Sequence, residues 1–154
     1  MADIKTEFLF DLKADLDMPG AIRMGTTPHG TRTIVYVTGG TIEGPKIKAT
    51  VLPGGGDWLL GRPDGTNVMD VRAVARTDDG QIIYTYYRGY LNIRPEVLQR
   101  IYKGEKVDPS EYYFRTTPVF ETASDKYAWL NKVVTVGIGT LSATGVAYRV
   151  YSIL

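Results

Sequence analysis

The chain has 154 residues, 23% of them charged, and a net charge of +1, so it can bury a proper core as one domain but lacks the basic surplus of a nucleic-acid surface. It contains no cysteine, which removes disulfides, thiolate catalysis and cysteine-ligated metal, and its one histidine, His29 in Thr27-Pro28-His29-Gly30, reads as a plain loop residue rather than a metal or triad member. No apolar run reaches the ~18–20 residues needed to cross a bilayer and no apolar leader follows Met1, so a soluble cytoplasmic protein with no membrane partner is expected.

In chain order, residues 5–16 alternate Glu7, Leu9 and Asp11 against Phe8, Phe10 and Leu12, the mark of a half-buried strand. Met18 to Gly30 is rich in Gly, Pro and Thr and reads as a long loop. Arg32 to Thr38 is β-branched and aromatic, a second strand, with Gly39-Gly40-Thr41 breaking it. Gly44-Pro45 opens a third over Lys46 to Leu52, which Pro53 and three consecutive glycines end. Such a run costs backbone entropy, so it marks either a sharp corner or a close approach of backbone to a ligand.

Val68 to Arg88 reads as a β-hairpin. Two alternating runs, Val68 to Arg76 and Ile82 to Arg88, flank Asp78-Asp79-Gly80. With Gly80 in the left-handed position of a three-residue loop, Thr77 faces Gln81. The register then sets Val74 opposite Tyr84, Arg72 opposite Tyr86 and Asp70 opposite Arg88. One face collects this carboxylate, two guanidinium groups and two phenols. The other carries Met69, Val71, Ala73, Ala75, Ile83, Thr85 and Tyr87.

Pro95 to Tyr102 has a proline at a helix start and apolar spacing of three to four, so one short helix is predicted, closed by Gly104. Glu111 to Thr122 returns to strand, with Pro118 indicating an edge or bulge. Ser124 to Leu130 reads as a capped single turn. Two last strands, Asn131 to Gly139 and Ala143 to Ile153, are joined by Thr140-Leu141-Ser142. The sum is all-β in a single domain over residues 1–154: an antiparallel sheet of about eight strands with one or two short helices, closed into a barrel, with a two-sheet sandwich as the alternative.

Several ordered motifs point to a family. Val37-Thr38-Gly39-Gly40-Thr41, Gly44-Pro45 and Val51-Leu52-Pro53-Gly54-Gly55-Gly56-Asp57-Trp58 form one cluster. Asp64-Gly65, Asp70-Val71-Arg72, Thr77-Asp78-Asp79-Gly80, Tyr87-Arg88-Gly89, Tyr113 to Glu121 and Tyr127-Ala128-Trp129-Leu130-Asn131 follow in order. Together they resemble the bacterial and fungal family of unknown function DUF3237, also called UPF0311, from Arg32 to the end. The resemblance implies a calycin- or lipocalin-like antiparallel β-barrel of eight strands. It implies no general activity.

The chemistry then depends on which face of the hairpin lines the lumen. Met69, Val71, Ala73 and Ala75 suit a core, which leaves the charges in water, where surface pairs contribute only ~0–1 kcal/mol. Against this, Tyr84 and Tyr86 share the charged face, and Tyr113 with Arg115 repeats the grouping on a later strand. That repetition favours the charged face as lumen lining, with the apolar face packed on helices or on a second subunit, hence a homodimer or higher homo-oligomer. Under this reading Asp70 is a base, Tyr86 a proton donor and Arg88 an anchor. Arg72, Tyr84, Tyr113, Arg115, Asp57 and Trp58 bind substrate, the last two as an acid and a stacking wall at the barrel mouth. Glu121 and Asn131 are as well explained by tying down turns, and Tyr127 and Trp129 by core packing.

No phosphate loop, dinucleotide fingerprint or spaced carboxylate array occurs, so no cofactor and no metal are expected. The expected function is a small-molecule-binding barrel. A cofactor-free isomerase, lyase or cyclase acting on an oxygenated organic substrate is favoured over a non-catalytic carrier or sensor.

Overall fold

The alternating stretches form ten strands in the computed structural model, which describes residues 3–154. They are β1 (Thr6–Leu16), β2 (Ile22–Thr27), β3 (Gly30–Glu43), β4 (Lys48–Val51), β5 (Gly56–Gly61), β6 (Asn67–Thr77), β7 (Ile82–Asn92), β8 (Tyr113–Glu121), β9 (Thr135–Leu141) and β10 (Gly145–Ile153). One helix, α1 (Pro95–Tyr102), and two short 3-10 turns, Pro109–Glu111 and Ala128–Lys132, complete the chain.

Every strand pairing is antiparallel, and β1 contacts both β10 and β3, which closes the sheet on itself. Ten strands make eight staves because two staves are broken. β1 runs beside β3 from Asp11–Glu43 to Leu16–Val37, and β2 continues along the same edge from Ile22–Ile34 to Thr27–Gly30. On the opposite edge, β4 and β5 both lie between β3 and β6. The barrel needs no helical layer, because closure satisfies both edges of the sheet.

Pro53-Gly54-Gly55 is the break in the second of these staves. It takes five steps from Val51 to Gly56 while β6 takes three from Ala75 to Arg72, so the corner is a bulge of two residues. Glycine is required there: a Cβ on Gly55 would sit 2.3 Å from the Arg72 carbonyl oxygen. The corner is thus a device of the barrel wall, and it delivers the next residue but one, Asp57, into the interior.

The central hairpin has the expected register. Asp70 pairs with Arg88, Arg72 with Tyr86 and Val74 with Tyr84, with Gly80 at φ +86°. Its facing is the reverse of that favoured from sequence. Met69, Val71, Ala73, Ala75, Ile83, Thr85 and Tyr87 are buried, whereas Arg72, Tyr86 and Arg88 are exposed. The small and β-branched residues fill the lumen, and desolvation keeps the guanidinium groups outside. The apolar face expected to meet helices or another subunit is therefore the barrel's own interior.

Several boundaries also differ, and the strand expected from Asn131 begins only at Thr135, behind the Ala128–Lys132 turn. The expected loop between Met18 and Gly30 contains β2, which buries neither face and so lacks an apolar pattern. Gly39 and Gly40 bend β3 without ending it; β1 crosses so closely that a Cβ on Gly40 would lie 2.0 Å from the Lys13 carbonyl oxygen. β5 was hidden in a glycine-rich stretch. The β9–β10 turn is Ser142-Ala143-Thr144, two residues later than expected, and a Ser142 hydroxyl bonded with Gly145 fixes it. The helix matches its predicted span, with Gly104 at φ +85° behind it.

The two ends of the barrel differ. At one, Phe10 and Phe120 meet edge-to-face at 5.4 Å and pack with Ile42, Ile83 and Leu130 into a solid plug. At the other, α1 inserts Val97 and Ile101 and leaves space beneath Leu98 and Tyr102.

Candidate active site in the barrel interior

The space at the helix-covered end is a cavity of about 120 Å³. That is close to the ~150 Å³ of an apolar protein cavity that accepts benzene. Its walls are Val35 and Val37 of β3, Leu59 of β5, Met69 and Val71 of β6, and Phe114 of β8, with Leu98 and Tyr102 of α1 at the rim. Into this apolar space project Asp57, Asn67, Tyr87, Ser142 and Tyr148. A few polar groups converging in an apolar pocket is the usual form of a small-molecule site.

Asp57 sits one residue beyond the start of β5, where strand alternation turns its side chain inward with Leu59 and sends Trp58 outward. Its Oδ1 accepts the backbone N–H of Asp70 at 3.0 Å, so one carboxylate oxygen is fixed by the β6 backbone. Burial pushes the Asp57 carboxyl up to about 6, more than the Asp70 N–H and the Arg32 guanidinium lower it, while the nearby Asp70 carboxylate adds to the rise. The surface Asp57 retains faces the cavity. It is a carboxyl that changes protonation near neutrality and remains within reach of a ligand.

Tyr87 of β7 and Tyr148 of β10 face each other across the lumen with ring centroids 5.2 Å apart, and Phe114 packs on Tyr148 at 5.3 Å. Both tyrosines are buried, which raises their hydroxyls above the usual phenol range, and the nearby Asp57 charge raises both further. They are neutral donors at any physiological pH. A carboxyl poised near 6 beside two phenols locked in the protonated form provides a base or acid and an oxyanion partner.

The other residues picked from sequence lie elsewhere. Asp70 and Arg72 form an exposed pair at 3.5 Å on the outer face of β6. Tyr84 and Tyr86 stack obliquely at 5.8 Å outside β7. Arg88, Tyr113 and Arg115 do come together, but in an external groove with Arg62 and Tyr90, where Arg115 lies over the Tyr113 ring at 5.1 Å. The expected convergence on the lumen is therefore corrected: of the nine selected residues, only Asp57 lines the cavity. Trp58 is on the outer side of β5, its carbonyl held by Arg32 at 2.7 Å.

Several minor expectations resolve as structural. Asn131 bonds both ways with the Thr122 backbone, at 2.8 and 2.9 Å. Tyr127 is buried and donates to Asp79 at 3.2 Å, and Lys46 lies over the Trp129 ring at 5.7 Å. Among the described residues no cluster of three or more His, Cys, Asp or Glu is placed to hold a metal, and no helix is long and apolar enough to cross a membrane.

Tyr87 and Tyr148 were missed from sequence, as were Asn67 and Ser142. The available signal was a polar atom on an otherwise apolar face. Tyr87 alternates with Ile83 and Thr85, and Tyr148 with Val146 and Val150, so each phenol belongs to a core-facing row.

Comparison with known proteins agrees with this architecture. A UPF0311 protein of Rhodopseudomonas palustris is 34% identical over 152 residues, covering 98% of this chain and 97% of the relative. The crystal structure of a conserved protein of unknown function from that organism superposes with a TM-score of 0.92 at 31% identity over the whole of both chains. A β-barrel-like protein from Acinetobacter baumannii gives a TM-score of 0.85 at 37% identity, covering 100% of this chain and 98% of its own. A structure described as an enzyme from Penicillium herquei shares the fold at a TM-score of 0.74 and 22% identity, covering 100% and 97% of the two chains. The model of the protein family of unknown function DUF3237 matches residues 4–153. An eight-stave barrel with these motifs in this order, matched over nearly its full length, belongs to the DUF3237, or UPF0311, family.

Proposed function

We propose that the protein is a cofactor-independent acid–base enzyme whose reaction takes place inside the barrel, with Asp57 as the proton carrier. The observation that carries this reading is the position of Asp57: a carboxyl raised to about 6 by burial, held by one oxygen on the Asp70 N–H and open to an apolar cavity by its remaining surface. An asparagine would accept the Asp70 N–H as well without the cost that burial adds to a charge, so the hydrogen bond alone does not call for a carboxylate.

The chemistry follows from the three groups. The Asp57 carboxylate removes a proton from the carbon next to a substrate carbonyl. The electron pair moves onto the carbonyl oxygen as an enolate, which the Tyr87 hydroxyl stabilises by hydrogen bonding. Asp57, now a carboxylic acid, returns the proton to another carbon, giving isomerisation, or to a departing oxygen, giving elimination. The same steps in reverse add an internal hydroxyl to an alkene and close a ring. This retains the isomerase, lyase or cyclase class and moves its centre from Asp70 to Asp57.

The mostly apolar lining also suits a carrier that binds without reacting, and one experiment separates the two. The protein is incubated in deuterated water with 1,3-diketones and ortho-hydroxyaryl ketones. Deuterium incorporation or product formation above background, lost in Asp57→Asn, supports catalysis. Saturable binding with neither, in wild type and variant alike, makes the barrel a carrier.

A further inference from the structure

The lining of the cavity restricts the charge its ligand can carry. Among the residues that form it there is no lysine, arginine or histidine. The titratable groups around Asp57 are Tyr87 from β7, Tyr148 from β10 and Tyr102 from α1, with Asp70 behind it on β6 and Arg32 on β3. Among the described residues Arg32 is the one cation that influences Asp57, and its guanidinium donates to the Trp58 carbonyl oxygen at 2.7 Å. All the unpaired arginines of the central hairpin and β8 are outside the wall.

An anionic ligand entering this space would therefore meet a carboxylate and no counter-charge on the cavity wall. Apolar walls make the mismatch worse, because little solvent screens it. A neutral ligand meets complementary groups instead. The free Asp57 oxygen accepts from a hydroxyl. The phenols of Tyr87 and Tyr148, both on the cavity wall and both protonated, offer an O–H to a carbonyl oxygen.

We propose that the cavity selects uncharged ring-sized phenols or enols that carry an adjacent carbonyl, and rejects carboxylates built on the same frame. This rests on the barrel interior being the functional site, and it narrows that reading from oxygenated molecules in general to neutral ones. The expectation that arginines anchor a substrate's negative charge is replaced by recognition through one acceptor and one phenolic donor.

The test is calorimetric titration of the full chain at about pH 7.5 with ortho-hydroxyacetophenone, acetophenone and salicylate. Ortho-hydroxyacetophenone should bind, acetophenone more weakly for want of the donor, and salicylate at least about tenfold more weakly than ortho-hydroxyacetophenone because of the Asp57 charge. In Asp57→Asn, which keeps an acceptor for the Asp70 N–H, the salicylate gap should narrow. If that variant folds poorly, wild type at about pH 5 is the second arm: protonating Asp57 should narrow the same gap. Failure of ortho-hydroxyacetophenone to bind, salicylate binding as well or better, or a gap indifferent to both Asp57→Asn and pH overturns the proposal. Selective binding of neutral ligands without any solvent exchange would leave it standing and remove the acid–base reading. Asp57-dependent turnover of carboxylates would do the reverse.

Discussion

Asp57 and Asp70 are joined through the barrel wall: the inward carboxylate of one accepts the backbone N–H of the other at 3.0 Å, while the side chain of Asp70 faces water. The bond occurs where the β5–β6 ladder skips between Asp57–Val71 and Leu60–Val68, so a side chain takes a donor that a strand would normally use. The two-residue bulge at the glycine corner makes this possible. It holds Asp57 rigidly on β5 rather than on a loop, which suits a group that must meet a substrate in one geometry.

The first consequence is a pH-dependent stability difference between wild type and Asp57→Asn. A carboxyl raised in the folded state from 3.8 to about 6 binds protons that the unfolded chain has released, so its contribution to stability is lost as pH climbs through that interval. In urea unfolding, Asp57→Asn should gain on wild type by on the order of 2–3 kcal/mol between about pH 4 and pH 7.5. A difference that stays flat across this range contradicts the buried, uncompensated placement of Asp57.

The facing of the central hairpin makes a second. Val71→Ala removes methyl groups from the lumen and should cost about 1–3 kcal/mol. Arg72→Ala and Arg88→Ala, on the outer surface, should each change stability by less than about 1 kcal/mol and leave ligand binding in the cavity unaltered. Loss of binding in Arg88→Ala would return the site to the outer face.

Glycine positions give a third. At Gly55 a Cβ would press against backbone at 2.3 Å, so Gly55→Ala must shift the corner and is expected to cost more than about 3 kcal/mol and to displace Asp57. Gly65, at φ +85° with no neighbour within 4 Å, carries only the conformational term, and Gly65→Ala should cost about 1 kcal/mol. Equal effects in thermal unfolding would count against the close approach at Gly55.

Thr116 makes a fourth, independent of the site. Its buried hydroxyl has no hydrogen-bond partner, and it occupies the space that a side chain on Gly137 would need. Thr116→Val replaces the orphaned hydroxyl with a methyl of similar size and should be neutral or stabilising by about 1 kcal/mol. A marked loss of stability would mean that the hydroxyl has a partner.

Much of this barrel was legible in the sequence because local chemistry dictates it. Gly80 at positive φ fixes the hairpin loop, and the loop fixes all the Asp70–Arg88 register. Pro95 and Gly104 bracket the helix for equally local reasons. Facing was not legible in the same way, since register is indifferent to which side of a strand is inside. The repeated tyrosine–arginine groupings misled, and the better guide was the cost of burying three guanidinium groups against the low cost of burying Met69, Val71, Ala73 and Ala75. Asp57 could be flagged only as a neighbour of the glycine corner. Its inward turn depends on the bulge between β4 and β5, and its partners Tyr87 and Tyr148 come from strands that closure brings together.

The most direct test of the account is to follow the carboxyl carbon resonance of Asp57 in isotopically labelled protein across pH, with assignment by Asp57→Asn, in the absence and presence of ortho-hydroxyacetophenone. The account predicts a midpoint near 6 in the free protein and a displaced midpoint when the ligand occupies the cavity. A midpoint near 3.8 that no bound ligand moves would contradict it.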